Sequence, residues 1–244
     1  KILGDSRAVI GIEDNKPAAI AALRAAAAGV AEVAVVPTRY PQGAEKQLIY
    51  ALTRRAVPSG KLPMDAGCVV QNVGTMFAVY EAVVKGTPLI ERIVTVAGGG
   101  VGRPGNFRVR LGTSVADLFA LAGGDREKVK KIIMGGPMMG VALPGYDFYA
   151  GKGTSGLLFL TEEETRGPRE YPCIRCGRCG EVCPMGLRPR QLEMLTDTRE
   201  YDLLVAAGLN DCMECGCCSY TCPAGRKLVQ KVQLGKKAAR AVKA

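Results

Sequence analysis

Short apolar runs alternate with amphipathic stretches along the first third of the chain. Residues 8–12 read as a short strand. Asn15 and Pro17 then cap and open an alanine-rich helix that Gly29 ends, and residues 33–36 read as a second buried strand. Strand, helix and strand in that order predict a βαβ unit and therefore a parallel sheet. The segment Tyr40-Pro41-Gln42-Gly43-Ala44-Glu45-Lys46 turns into a helix whose apolar face includes Leu48, Ile49 and Leu52. A Pro/Gly-rich loop from Pro58 to Pro63 leads to an expected strand over 68–73, and Gly74-Thr75 opens a further helix ending near Gly86. Twice, then, a glycine-bearing turn opens a helix, and such helix N-termini offer backbone N–H groups and partial positive charge to phosphates.

From Glu91 the pattern changes to short strands and turns: 92–97, 107–111, a helix over 114–122 and 129–134. Ser114 with Asp117 makes an N-cap pair, and Gly123-Gly124 stops the helix. A glycine-heavy stretch, 135–156, precedes a strand over 157–160. The charged, proline-marked stretch that follows reads as a linker, and helices are expected over 190–197 and 200–207. The expected organisation is an α/β domain over 1–88, a strand-and-turn domain over 89–160, a linker over 161–171, a mainly helical domain over 172–228 and a basic tail over 229–244.

Composition adds limits. A chain of 244 residues that is 48% hydrophobic can bury real cores. No apolar run approaches the roughly 18–20 residues that span a bilayer. The start, Lys1-Ile2-Leu3-Gly4, reads as neither a signal peptide nor an initiator, so a piece of a longer protein is expected. The absence of His removes the commonest general base and, within this chain, His-ligated haem or Rieske chemistry. The net charge is +10, and the basic residues after Cys222 (Arg226, Lys227, Lys231, Lys236, Lys237, Arg240, Lys243) have no acidic residue among them. That stretch reads either as a solvated helix or end, or as a dock for anionic headgroups or an acidic partner. With aromatics at 5% and no stacking platform beside the basic residues, no nucleic-acid partner is expected.

The strongest chemical signal lies in the cysteines. Cys173, Cys176, Cys179 and Cys183 precede Pro184, and Cys212, Cys215, Cys218 and Cys222 precede Pro223. This C-x2-C-x2-C-x3-C-P run, present twice, is that of a chain wrapping two [4Fe–4S] clusters, in which the fourth cysteine of each run serves the other cluster. The expected metal ligands are Cys173, Cys176, Cys179 with Cys222, and Cys212, Cys215, Cys218 with Cys183. Zinc is the nearest rival, since paired C-x-x-C motifs also make tetrahedral zinc sites; a third cysteine per run and the repeated Cys-Pro count against it. Cysteines committed in this way imply a reducing compartment, most simply the cytoplasm. Cys217 is surplus by spacing and reads as a buried thiol beside a cluster, Cys68 as core, and Met134, Met138 and Met139 as packing residues. Lys16 and Lys46 read either as attracting a pyrophosphate or as simply solvated, and neither is taken as a site residue.

Taken together, Gly11-Ile12-Glu13-Asp14-Asn15-Lys16-Pro17, the Tyr40–Leu48 segment, Val69-Val70-Gln71-Asn72-Val73-Gly74-Thr75, Arg103-Pro104-Gly105-Asn106, Met134-Gly135-Gly136-Pro137-Met138-Met139-Gly140 and the twin cysteine runs resemble the RnfC family over essentially the whole chain. These are peripheral subunits of the Rnf electron-transport complex. A lesser similarity runs to the flavin-bearing subunit of respiratory complex I and to the cobalamin reductase of propanediol utilisation. The resemblance implies a multidomain α/β and α+β fold: a partial Rossmann-like flavin domain, a β-grasp domain of the SLBB type and an α-helical ferredoxin domain. It implies FMN and two [4Fe–4S] clusters as cofactors, NADH as substrate, and an NADH-dependent oxidoreductase subunit that exchanges electrons with ferredoxin while the complex moves Na+ or H+. Tyr40, Gly43 and Glu45 match the motif that lies against flavin and nicotinamide, and Asn72, Gly74 and Thr75 the motif that contacts the ribityl phosphate. The family's glycine-rich loop and acidic flavin segment would precede Lys1, so half of the flavin site is expected in this sequence. The implied partners are the other Rnf subunits, including the ferredoxin-like cluster-bearing one, with ferredoxin reached indirectly; the implied location is peripheral, on the cytoplasmic face of the membrane. The alternatives are a non-catalytic iron–sulfur electron-transfer module and a microcompartment cobalamin reductase.

Overall fold

The computed structural model describes residue 4 and residues 6–243; positions 1–3, 5 and 244 lie outside the described residues. The chain forms two compact units, Lys1–Gln71 and Asn72–Ala244.

In the first unit, β1 (Val9–Glu13) and β2 (Glu32–Val36) pair in parallel from Val9↔Glu32 to Glu13↔Val36, with α1 (Pro17–Ala26) crossing between them. This is the expected βαβ unit. Pro17 sits in the first turn of α1, where its missing N–H costs nothing. The N-cap is Lys16 rather than Asn15, and the helix ends at Ala26, before Gly29. Asp14 closes the unit differently: its Oδ1 accepts from the backbone N–H and the hydroxyl of Thr38. The helix α2 (Glu45–Thr53) follows, with Ile49 buried. The strand expected over 68–73 is not formed: residues 68–72 have no regular secondary structure, Val73 already opens the next helix, and among the described residues no strand pairs with this stretch. Without a ladder, Cys68 is half-buried instead of core.

The second unit begins with α3 (Val73–Lys85), capped by Asn72, whose side chain accepts from Gly74 N–H at 2.9 Å, and closed by Gly86 at φ 67°. A mixed sheet follows in the order β4-β3-β7-β5-β6: β3 (Glu91–Ala97), β4 (Gly105–Arg110), β5 (Lys131–Met134), β6 (Val141–Leu143) and β7 (Gly156–Leu160). The helix α4 (Val115–Leu121) packs with it, capped by Ser114 and Asp117 as expected. Val94, Val96, Val115, Leu118, Leu157 and Phe159 are essentially solvent-free at its centre, and Phe119 and Phe159 meet at 4.7 Å between ring centroids. The expected linker is partly ordered. Thr161 and Glu164 form a capping box around α5 (Glu162–Thr165), and Glu164 also accepts from Gly99 N–H at 2.9 Å, tying the segment to the sheet domain.

The remaining helices are α6 (Arg178–Glu181), α7 (Pro189–Asp197), α8 (Tyr201–Ala206), α9 (Cys217–Tyr220) and α10 (Leu228–Lys243). Leu192, Leu195, Leu204, Leu209, Val232 and Ala239 form their core. The stretch expected to be a basic tail is thus the longest helix of this core. Gly235 makes that packing close: a Cβ there would stand 2.5 Å from Thr196 Oγ1 and 2.9 Å from Leu204 Cδ2.

Candidate functional site

The cysteine-bearing region is a structural repeat. In each copy the residue two after the first cysteine adopts a left-handed conformation, Arg175 at φ 58° and Glu214 at φ 60°. Each of these donates its backbone N–H to the sulfur of that first cysteine at 3.4 Å, Arg175 to Cys173 and Glu214 to Cys212. Gly177 and Gly216 follow at φ 79° and 83°, each opening a short helix, α6 or α9. The loop therefore turns back on itself within seven residues, pointing three sulfurs inward. Behind each proline comes a further left-handed glycine, Gly186 or Gly225, and then a longer helix, α7 or α10.

Two cavities lie in this repeat. One, about 240 Å³, is lined by Cys173, Cys176, Cys179 and Cys222, together with Ile174, Arg175, Arg190 and Arg226. The other, contracted to about 20 Å³, is lined by Cys183, Cys212, Cys215 and Cys218 with Met185, Leu187, Leu192, Met213 and Val232. Each cavity thus draws three thiols from one run and the fourth from the other. The thiols stand around a space and, among the described residues, no three His, Cys, Asp or Glu side chains converge as one metal ion would need. Four soft sulfur donors around one cavity fit a [4Fe–4S] group in donor chemistry.

The surroundings of the two cavities differ. Cys176 is exposed, whereas Cys215 is buried. Burial raises the thiols of Cys179 and Cys212 above the ordinary value and pushes Cys218 up to about 12. A coordinated metal would have to displace these protons. Cys217 also lines the contracted cavity; burial first, and then its hydrogen bond with Cys215, push its thiol up to about 11.

Sequence reasoning missed Glu193. It is 0% exposed, accepts from Arg190 Nη1 at 2.8 Å and from Arg226 Nε at 2.9 Å, and so fixes two arginines that line the open cavity. Arg226 also donates to Tyr171 O at 3.4 Å and pairs with Glu170. Its guanidinium is raised above the usual value, chiefly by the hydrogen bond to Glu193. Only the apolar face of α7, on which an acid is out of place, hinted at it. Two more residues of the basic stretch are paired: Lys231 with Asp197, and Lys236 with Glu214 at 2.7 Å. Lys236 Nζ also donates to Cys212 O at 2.6 Å. For Glu214 burial works against ionisation, but hydrogen bonds from Lys236 and Gln233 hold its carboxyl below the usual range.

The expected flavin residues fall in both units. In the first, Tyr40 is half exposed, the turn before α2 is held by Ala44 N–H donating to Pro41 O at 2.9 Å, and Glu45 is exposed in the first turn of α2. A Cβ on Gly43 would meet nothing within 4 Å and its φ is not positive. Neither backbone nor packing requires a glycine there. In the second unit, Asn72, Gly74 and Thr75 are exposed at the N-terminus of α3, a helix of 13 residues. Lys16 Nζ is occupied by Glu13 and Asn15. Met134 packs against the sheet core, Met138 lies beside Gly216, and Met139 is exposed.

Comparison with known proteins marks three regions along the chain. Residues 1–81 match the Nuo51 FMN-binding domain, residues 93–142 the SLBB domain and residues 172–226 the 4Fe-4S dicluster domain. The RnfC-type component of the proton-translocating ferredoxin:NAD(+) oxidoreductase complex of Clostridium ljungdahlii is 51% identical over 80% of this chain and 43% of its own length. The corresponding component of the ion-translocating oxidoreductase complex of Pseudomonas aeruginosa is 46% identical over 86% of this chain and 28% of its own, and that of Rhodobacter capsulatus 44% over 79% and 38%. The chain therefore spans less than half the length of these relatives. Its three regions and its identity to these proteins along most of its length place it in the RnfC family of ion-translocating oxidoreductase complexes.

Proposed function

We propose that this chain is the electron-transfer part of a peripheral subunit that passes electrons between NADH and ferredoxin, on the cytoplasmic face of a membrane complex that moves Na+ or H+. The observation that carries this reading is the crossed grouping of thiols: Cys173, Cys176, Cys179 with Cys222 around one cavity, and Cys212, Cys215, Cys218 with Cys183 around the other. Those residues would hold two [4Fe–4S] groups. Tyr40, Gly43, Glu45, Asn72, Gly74 and Thr75 would hold FMN and nicotinamide. Bound FMN supplies the exchange between hydride and single electrons, and the clusters supply one-electron relay.

The chain's own residues then have defined tasks. Gly43 leaves backbone open to a planar ligand, and Glu45 offers acceptors to a ribose or amide. The first turn of α3 offers N–H groups and dipole charge to a phosphate. Buried leucines and valines keep water from the Cys212 loop, and the N–H groups of Arg175 and Glu214 direct hydrogen bonds at sulfur. No side-chain nucleophile or general base is required. A peripheral position accords with the described helices, none of which is long and apolar enough to cross a membrane. The partners proposed are the membrane subunits of the complex and its cluster-bearing ferredoxin-like subunit.

The test is anaerobic iron, sulfide and flavin quantitation on the full-length protein, with low-temperature EPR after NADH addition. About eight irons and one FMN, with cluster signals appearing on NADH, are expected. Iron without flavin or NADH response would reduce the protein to a module fed by another subunit.

A further inference from the structure

The two cysteine loops share one backbone and differ in charge. Arg175 and Glu214 stand at the same position of the repeat, in the same left-handed conformation, and each lines its own cavity. Around the open cavity stand Arg175, Arg190 and Arg226, with the buried Glu193 holding the last two. Around the contracted cavity Glu214 is balanced by Lys236, and the rest of the lining is nearly all apolar or cysteine. The contracted site also faces inward: Gly216, in its loop, lies against Met138 of the sheet domain, a Cβ there meeting Met138 O at 3.2 Å. The open site carries the exposed Cys176, Ile174 and Arg175.

Positive charge and solvent exposure both favour the reduced, more negative form of an iron–sulfur group, while an apolar wall and a nearby carboxylate oppose it. We infer that the cluster held by Cys173, Cys176, Cys179 and Cys222 is the more oxidising of the pair, and that residues 175 and 214 set this order. The inference rests on the proposed ligation of the clusters. It makes the open site the resting place of a single electron and the contracted site its inner relay; transfer between them moves one electron and no proton.

The test uses the full-length holo protein in a redox titration with dithionite as the one-electron reductant, each cluster followed by EPR. Cys176→Ser and Cys215→Ser assign the signals by which one disappears. In the unmodified protein the signal lost in Cys176→Ser titrates at the higher potential. Arg175→Glu lowers that potential and Glu214→Gln raises the other. Each narrows the gap by about a tenfold change in the electron-partition constant, 59 mV for a one-electron couple. Both substitutions are tolerated by the backbone, since Glu already occupies the equivalent left-handed position and Gln is isosteric with Glu. Iron and sulfide are measured on every sample. Full cluster content with the reverse order, or with a gap that neither substitution moves, overturns the inference alone. Absence of the clusters overturns the ligation reading and this inference with it.

Discussion

The two halves of the cysteine repeat reach the same loop geometry by different supports. In the first, the loop is braced ionically: Glu193 on α7, buried and bonded to Arg190 and Arg226, joins that helix to the chain after Cys222 and, through Arg226, to Tyr171 and Glu170. In the second, the brace is mainly apolar, with Leu192, Val229 and Val232 lining the cavity and Glu214–Lys236 at its edge. A sulfur-presenting turn is thus specified by a few backbone angles, whereas the groups around it are free to differ. That freedom lets one fold carry two sites of unlike polarity.

The largest effect should come from removing the ionic brace. Glu193→Ala leaves Arg226 and Arg190 without their buried acceptor, and breaking a buried pair in this way costs about 3–5 kcal/mol. Arg226 retains Glu170, so the lower end is expected. Denaturant unfolding would measure the cost, and EPR of partly destabilised samples should show the signal of the Cys173 site fading before that of the Cys212 site. Simultaneous loss would show that the halves are one cooperative unit.

A smaller effect tests the apolar brace. Gly235→Ala sets a methyl within 2.5 Å of Thr196 Oγ1, whose hydroxyl is already bonded to Leu192 O at 2.8 Å. Overpacking costs about 1–3 kcal/mol, set against roughly 1 kcal/mol gained from replacing a mid-helix glycine. A net loss of about 1 kcal/mol is expected, read as a lower denaturation midpoint at unchanged slope. A rise in stability would mean that α10 is free to move outward and that its close approach does not brace the site.

Much of this was legible beforehand, and the exceptions share a cause. The βαβ unit, the Ser114 cap and the thiol runs are local patterns, so the sequence carries them directly. The expected strand at 68–73 failed because a strand needs a neighbour, which periodicity does not reveal. The strand β6 was hidden in a glycine-rich stretch, where Gly140 lies so close to Gly136 O that a Cβ there would overlap it. Arg226, Lys231 and Lys236 looked free because their acidic partners, Glu193, Asp197 and Glu214, lie elsewhere in sequence. The repeat was visible as cysteines, but its extension through Arg175 and Glu214 depends on backbone angles and was not. For the flavin residues, the segments quoted gave a resemblance, while the structure adds that Gly43 is required by nothing in its own unit.

The smallest effect expected lies outside both halves and serves as their control. Glu164 caps α5 and accepts backbone N–H groups from Thr161 and Gly99, which hold its carboxyl below the ordinary value of 4.5. A depressed folded value means that ionised Glu164 stabilises the fold at any pH above the unfolded value, and that this contribution fades as pH falls through the folded one. Glu164→Ala should therefore cost about 0.5 kcal/mol at neutral pH, the low end for a lost cap, because the carboxylate is exposed. The difference from the unmodified protein should shrink once pH drops below 4.5 and vanish beneath the folded value. Because Glu164 joins the sheet domain to the start of the linker and touches neither cysteine loop, both cluster potentials should stay where they are. A shift in one potential alone would mean that the linker, as well as residues 175 and 214, distinguishes the two sites.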